Sequence, residues 1–102
     1  MYRILIIEDD PDIRAELKLL LENALYQVDT IIDFTKVIPQ IQNASPDLIL
    51  LDIQLPGNSG LNLCQEIRRT SEVPIIFVTG LSNPMDELNG MMMGGDDYIT
   101  KP

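Results

Sequence analysis

The chain contains no histidine, no tryptophan and a single cysteine, Cys64. One cysteine excludes an internal disulfide, and without histidine the usual zinc sites fall away, so any metal must be hard and bound by oxygen. Cationic residues are scarce: 7 Lys and Arg stand against 16 Asp and Glu, for a net charge of −9. Affinity for phosphate backbones depends on Lys and Arg, so this stretch is not expected to grip nucleic acid by itself. No apolar run is long enough to span a bilayer. Met1-Tyr2-Arg3 leads directly into a strand pattern and then into acids, with no signal-peptide pattern, so a cytoplasmic protein without a membrane partner is expected. With 102 residues, 45% of them hydrophobic and 23% charged, the expectation is one globular domain, 1–102, with no internal boundary.

What is present is a strict alternation of strand and helix patterns. Residues 3–7 read as the first strand. Asp10 followed by Pro11 is a cap-then-proline start for a helix over 11–25, with Ile13, Leu17, Leu20, Leu21 and Ala24 on one face. Residues 28–32 read as the second strand. Asp33 is expected to cap a second helix carrying Phe34, Val37, Ile38 and Ile41 on one face, which Pro39 should shorten or kink. The third strand is expected at 47–51, and Gly60 opens a third helix through Leu63, Cys64, Ile67 and Arg68, with Cys64 a small core residue. After the fourth strand at 74–78, Asn83-Pro84 repeats the start signal for a fourth helix ending before Gly94-Gly95. Gly90 and the methionines 85 and 91–93 should leave it weak. A fifth strand is expected at 96–100. Alternation of this kind implies an α/β fold, a parallel sheet with right-handed crossovers and helices on both faces.

The chemistry collects at one edge of that sheet. Leu48, Ile49, Leu50 and Leu51 form the continuous apolar run of a strand covered on both faces, and Asp52 ends it just before the turn residues Gln54 to Gly60. Carboxyl ends of strands are where open α/β sheets place their ligands. A single Asp there is more often a cap than a site, but this one has company. Glu8 and Asp9 end the first strand, Thr79 follows the fourth and Lys101 the fifth, while Asp10 is assigned to capping. If strands one and three are neighbours, Glu8, Asp9 and Asp52 converge, and such a cluster cannot be fully ionised unless a cation sits among them. Mg2+ is the natural candidate. Together with a lysine and a hydroxyl donor, the group suits phosphoryl transfer, where catalysis is mostly positioning and charge neutralisation.

Five segments carry a specific resemblance: Ile6-Ile7-Glu8-Asp9-Asp10, Pro46 to Asp52, Leu55-Pro56-Gly57, Pro74 to Thr79 and Gly95 to Pro102. Over its whole length the chain resembles a response-regulator receiver domain, the phosphoacceptor half of a bacterial two-component system. The resemblance implies a flavodoxin-like α/β/α sandwich with five parallel strands in the order 2-1-3-4-5. It implies that Asp52 accepts a phosphoryl group from a sensor histidine kinase. Asp9 would bind Mg2+ directly, Glu8 would hold it through water, and the Gln54 carbonyl would complete the protein ligands. Thr79, beside Gly80, would hydrogen-bond the phosphoryl group, Lys101 would pair with it, and Tyr98 would turn inward when Thr79 moves. The Lys101–Pro102 bond would be cis, aiming the lysine at the site. The wording of the last segment is similar to that of OmpR/PhoB-type winged-helix transcription regulators, which implies a DNA-binding domain beyond Pro102; the family's usual dimer uses a fifth helix absent here, so the expectation is either a less stable fragment or a homodimer in which a second copy covers the bare face of the sheet.

The departures are few. Gly80 and Gly95 stand where alanine is common in that family, and the fifth helix that normally follows the lysine-proline pair is missing, so a truncated domain is expected. In the 2-1-3-4-5 order only the first helix covers its face. Five strands span roughly 20 to 24 Å against about 10 to 12 Å for one helix, so around half of that face should be bare. Three rivals are weaker. An Asp-nucleophile phosphatase needs a second Asp where Gln54 stands, a receiver-like interaction module independent of phosphorylation would not need the intact Glu8, Asp9, Asp52, Thr79 and Lys101, and a flavin-binding domain needs a phosphate loop after the first strand.

Overall fold

The structure, a computed structural model, describes residues 1–80, 91–92 and 94–100. The expected fourth helix falls almost wholly outside these residues, as do Lys101, Pro102 and the bond between them.

Strand β1, Arg3–Ile7, runs into helix α1, Pro11–Asn23. Asp10 caps this helix as expected, one carboxylate oxygen accepting from the N–H groups of Asp12 (2.9 Å) and Ile13 (3.3 Å). Pro11 takes the first helical position, where an N–H would have no partner in any case. The helix stops at Asn23 rather than 25, because Leu25 adopts a left-handed φ of 71° that no helix can continue through. Strand β2 is Gln27–Thr30, slightly earlier than expected, and Ile31 still donates to the Ile6 carbonyl at 3.1 Å.

Helix α2, Val37–Ala44, corrects one expectation. Asp33 does not cap it; its carboxylate accepts instead from the N–H (2.9 Å) and the hydroxyl of Thr35, forming a separate turn. Those two bonds, the hydroxyl's first, hold the Asp33 carboxyl below its usual pKa. Lys36 occupies the cap position without a side-chain bond, and Gln40 Nε2 ties the turn to the helix through the carbonyls of Asp33 and Lys36. Pro39 sits in the first turn, where its missing donor costs no helical bond, so the helix is short rather than kinked.

Strand β3 is Leu48–Leu51. Two short strands not foreseen from sequence, β4 at Gln54–Leu55 and β5 at Asn58–Ser59, pair antiparallel around Pro56-Gly57, with Gly57 at φ 72°. Helix α3, Gly60–Arg68, begins where expected, and its cap is Ser59, whose hydroxyl accepts from the Leu61 N–H at 3.1 Å. Strands β6, Ile75–Thr79, and β7, Asp97–Thr100, complete the main sheet. Its order is β2-β1-β3-β6-β7, all neighbours parallel. With the hairpin strands left out of the numbering, this is the expected 2-1-3-4-5.

Arg68 fastens the edge of the sheet away from the site. Its guanidinium donates to the carbonyls of Gly94 (2.7 Å) and Val73 (2.5 Å) and pairs with Asp96 (2.7 Å), whose same oxygen accepts from the Ile75 N–H. A side chain at Gly94, which has φ 102°, would run into the Arg68 stem at 2.7 Å. α3, β6 and the approach to β7 are thereby joined by one side chain.

The two faces of the sheet are unequal. On the face covered by α2 and α3, Leu5, Ile7, Ile49, Leu51, Ile75 and Phe77 are buried against Val37, Ile41, Leu63, Cys64 and Ile67. Burial in this core raises the Cys64 thiol pKa. On the other face α1 buries none of its 13 residues. An apolar groove of about 540 Å³ runs beside it, lined in part by Leu17 and Leu21 of α1 and by Leu48, Leu50, Ile76 and Val78 of the sheet. Strand β3 shows the contrast in sequence: Leu48 and Leu50 are half-buried, Ile49 and Leu51 fully buried.

Candidate functional site

Register builds the site. Ile7 of β1 lies opposite Leu51 of β3, which lies opposite Phe77 of β6, so the next residues of the three strands emerge side by side at the carboxyl edge. The Asp52 N–H continues the ladder to the Ile7 carbonyl at 3.0 Å, which sets Asp52 beside Glu8. One carboxylate oxygen from each of Glu8, Asp9 and Asp52 lies within 4.8 Å of the others. Glu8 and Asp52 are buried, at 2% and 5% exposure, while Asp9 faces solvent. Two buried acids and one exposed acid, all hard oxygen donors, suit an oxygen-loving divalent cation such as Mg2+, with the open side left for water and a ligand.

The other expected site residues among those described lie on β4, on β6 and just after it, and on β7. One Asp52 carboxylate oxygen accepts from the Gln54 N–H at 3.2 Å, so Gln54, at the start of β4, lies against the acid it follows. Thr79 ends β6 at the same edge and is in register with Thr100 of β7. Gly80 is exposed, and a Cβ there would meet nothing within 4 Å, so the alanine more usual in the resembled family would fit without adjustment. Tyr98 is half-buried against the main core and pairs in register with Phe77.

Two further residues support the site without having been singled out for it in the sequence. Gly60, buried at the start of α3, lies so close to the Asp52 backbone that a Cβ would stand 1.9 Å from the Asp52 carbonyl oxygen. Its N–H donates to the Ile53 carbonyl at 2.7 Å. A glycine at the first position of a helix, where better helix formers are plentiful, was the available signal. The other is Arg14, whose guanidinium reaches back to the Glu8 carbonyl at 3.1 Å. Among the described residues, no helix is long and apolar enough to cross a membrane.

Residues 4–102 match the family model described as the response regulator receiver domain. The chain is 48% identical over 101 residues to the transcriptional regulatory protein YrkP of Bacillus subtilis, covering 99% of this chain and 43% of that protein. It is 47% identical over 100 residues to the transcriptional regulatory protein BaeR of Escherichia coli, covering 98% of this chain and 42% of that protein. The chain therefore spans less than half the length of these curated relatives. Among solved structures, the response regulator TrrA of Thermotoga maritima in complex with Mg2+ and BeF superposes with a TM-score of 0.88 at 34% identity, covering 100% of this chain and 88% of that one. Phosphorylation-based switching is the general function of the family these matches define, and the chain belongs to the response regulator receiver domain family.

Proposed function

We propose that Asp52 is the phosphoacceptor of this domain and that Glu8, Asp9, Asp52 and the Gln54 carbonyl form its Mg2+ site. The observation that carries this reading is the convergence of three carboxylates within 4.8 Å at the end of the central strands, two of them buried. When bound, Mg2+ would neutralise the cluster and offset charge on the incoming phosphoryl group. An Asp52 carboxylate oxygen attacks phosphorus, and the bond from phosphorus to the donor breaks as the new O–P bond forms. The hydrogen bond from the Gln54 N–H orients the attacking carboxylate. Thr79, beside Gly80, donates to the phosphoryl group, and Lys101 pairs with it. The movement of Thr79 is passed to Tyr98. The donor is a sensor histidine kinase, the domain acts in the cytoplasm, and the output is a DNA-binding activity located elsewhere in the parent protein; the names of the curated relatives, both transcriptional regulatory proteins, support the transcriptional output alone.

Incubation with acetyl phosphate and Mg2+ should phosphorylate the wild type and leave Asp52→Asn unmodified, as read by intact mass. Mg2+ alone should raise the melting temperature, since a ligand at about a hundred times its dissociation constant stabilises by about 2.7 kcal/mol. Asp9→Asn should lose most of that gain. Equal modification of Asp52→Asn, or an undiminished Mg2+ effect in Asp9→Asn, would place the chemistry elsewhere.

A further inference from the structure

The geometry points to Arg14 as a positioning residue for the metal site: its guanidinium holds the β1–α1 loop so that Glu8 and Asp9 present their carboxylates to Asp52. This inference rests on the Mg2+ reading above. The loop Glu8-Asp9-Asp10 links β1 to α1 and carries two of the three clustered acids. Both ends of this loop are held. The backbone N–H of Arg14 donates to the Asp10 carbonyl at 2.9 Å, the ordinary first bond of α1, and the Arg14 side chain holds the other end, its Nη1 donating to the Glu8 carbonyl at 3.1 Å. The carboxylate of Asp10 meanwhile binds the first turn of the helix that carries Arg14. Asp9 thus lies between two residues whose carbonyls are both held by hydrogen bonds.

The target of the guanidinium matters. The ion pair found among the described residues is Arg68 with Asp96, so Arg14 does not pair with the acids beside it. An arginine bound to those carboxylates would occupy the oxygens a cation needs. One bound to the carbonyl behind them acts on the backbone and does not itself occupy those oxygens. Groups that orient a metal ligand in this indirect way carry much of a site's affinity, and their loss costs about tenfold or more.

Charge and positioning predict opposite results, which makes the inference testable. Arg14 and Mg2+ repel each other, so deleting the positive charge by itself should tighten Mg2+ binding. Loss of the positioning bond should weaken it. We expect Arg14→Ala, titrated with Mg2+ by calorimetry at a temperature where circular dichroism shows it folded, to bind about tenfold more weakly than wild type. Arg14→Lys, which keeps the charge and one donor, should recover at least half of that loss on a logarithmic scale and stands as the test should Arg14→Ala not fold. A purely structural role would lower the melting temperature and leave the dissociation constant unchanged. Unchanged or tighter binding in Arg14→Ala, or Arg14→Lys no better than alanine, overturns the inference while the metal site stands. A wild type that binds no Mg2+ overturns both.

Discussion

Gly60→Ala is expected to destabilise the domain by about 3 kcal/mol and to slow phosphorylation of Asp52 by about a hundredfold. The added Cβ would stand 1.9 Å from the Asp52 carbonyl oxygen, 2.8 Å from its carbonyl carbon and 2.9 Å from Ile53 Cα. All three are backbone atoms, so no side chain can rotate out of the way. Either the start of α3 must lift away, breaking the 2.7 Å bond from the Gly60 N–H to the Ile53 carbonyl, or the end of β3 must move. The first route costs packing beneath Leu63, Cys64 and Ile67, and the second displaces the carboxylate on which the chemistry depends. A cost of this size is a large part of the roughly 5 to 15 kcal/mol that a domain has in all. Gly80→Ala is the control, because a Cβ there meets nothing within 4 Å. Urea unfolding and the acetyl phosphate reaction rate should separate the two variants widely. If Gly60→Ala behaves like Gly80→Ala on both measures, the close approach is not what holds Asp52.

Leu51→Ala should cost about 3 to 4 kcal/mol and Leu50→Ala about 1 kcal/mol, although the two residues are neighbours in one strand. Leu51 is 0% exposed and lies within the close-packed core, where truncation leaves a cavity. Leu50 points into the groove beside α1, where one side of its surface already lacks a neighbour. The same groove should bind a hydrophobic dye in the native state, as open apolar surface of this extent does, and Leu50→Ser should reduce the signal. Equal costs for Leu50 and Leu51, together with no dye binding by the folded chain, would mean that the α1 face is closed.

The parts of the fold visible in sequence were those set by local chemistry. Asp10-Pro11 starts α1 through a side-chain cap and a pre-set φ, both properties of the residues themselves, and the apolar runs at Arg3–Ile7 and Leu48–Leu51 carry the burial that makes them central strands. The groove beside α1 was legible too, because the strand order leaves α1 as the one helix among the described residues on that face. Asp33 was misread because two nearby donors on Thr35 outcompeted the helix for its carboxylate. Leu25 gave no warning of its left-handed turn, since nothing in a leucine favours it. The site acids were placed by strand register, which the motif spacing implied. The supporting roles of Gly60 and Arg14 depend on how closely a helix approaches a strand and on where a long side chain folds back, and neither distance is written in residue spacing.

The central claim is that the phosphoryl group forms its bond at Asp52. After reaction with acetyl phosphate and Mg2+, borohydride reduction converts an aspartyl phosphate to homoserine, which peptide mass spectrometry can assign to one position. The account predicts homoserine at position 52 in a Mg2+-dependent yield; homoserine at position 9 or elsewhere, or none at 52 in a chain that has taken up phosphate, would contradict it.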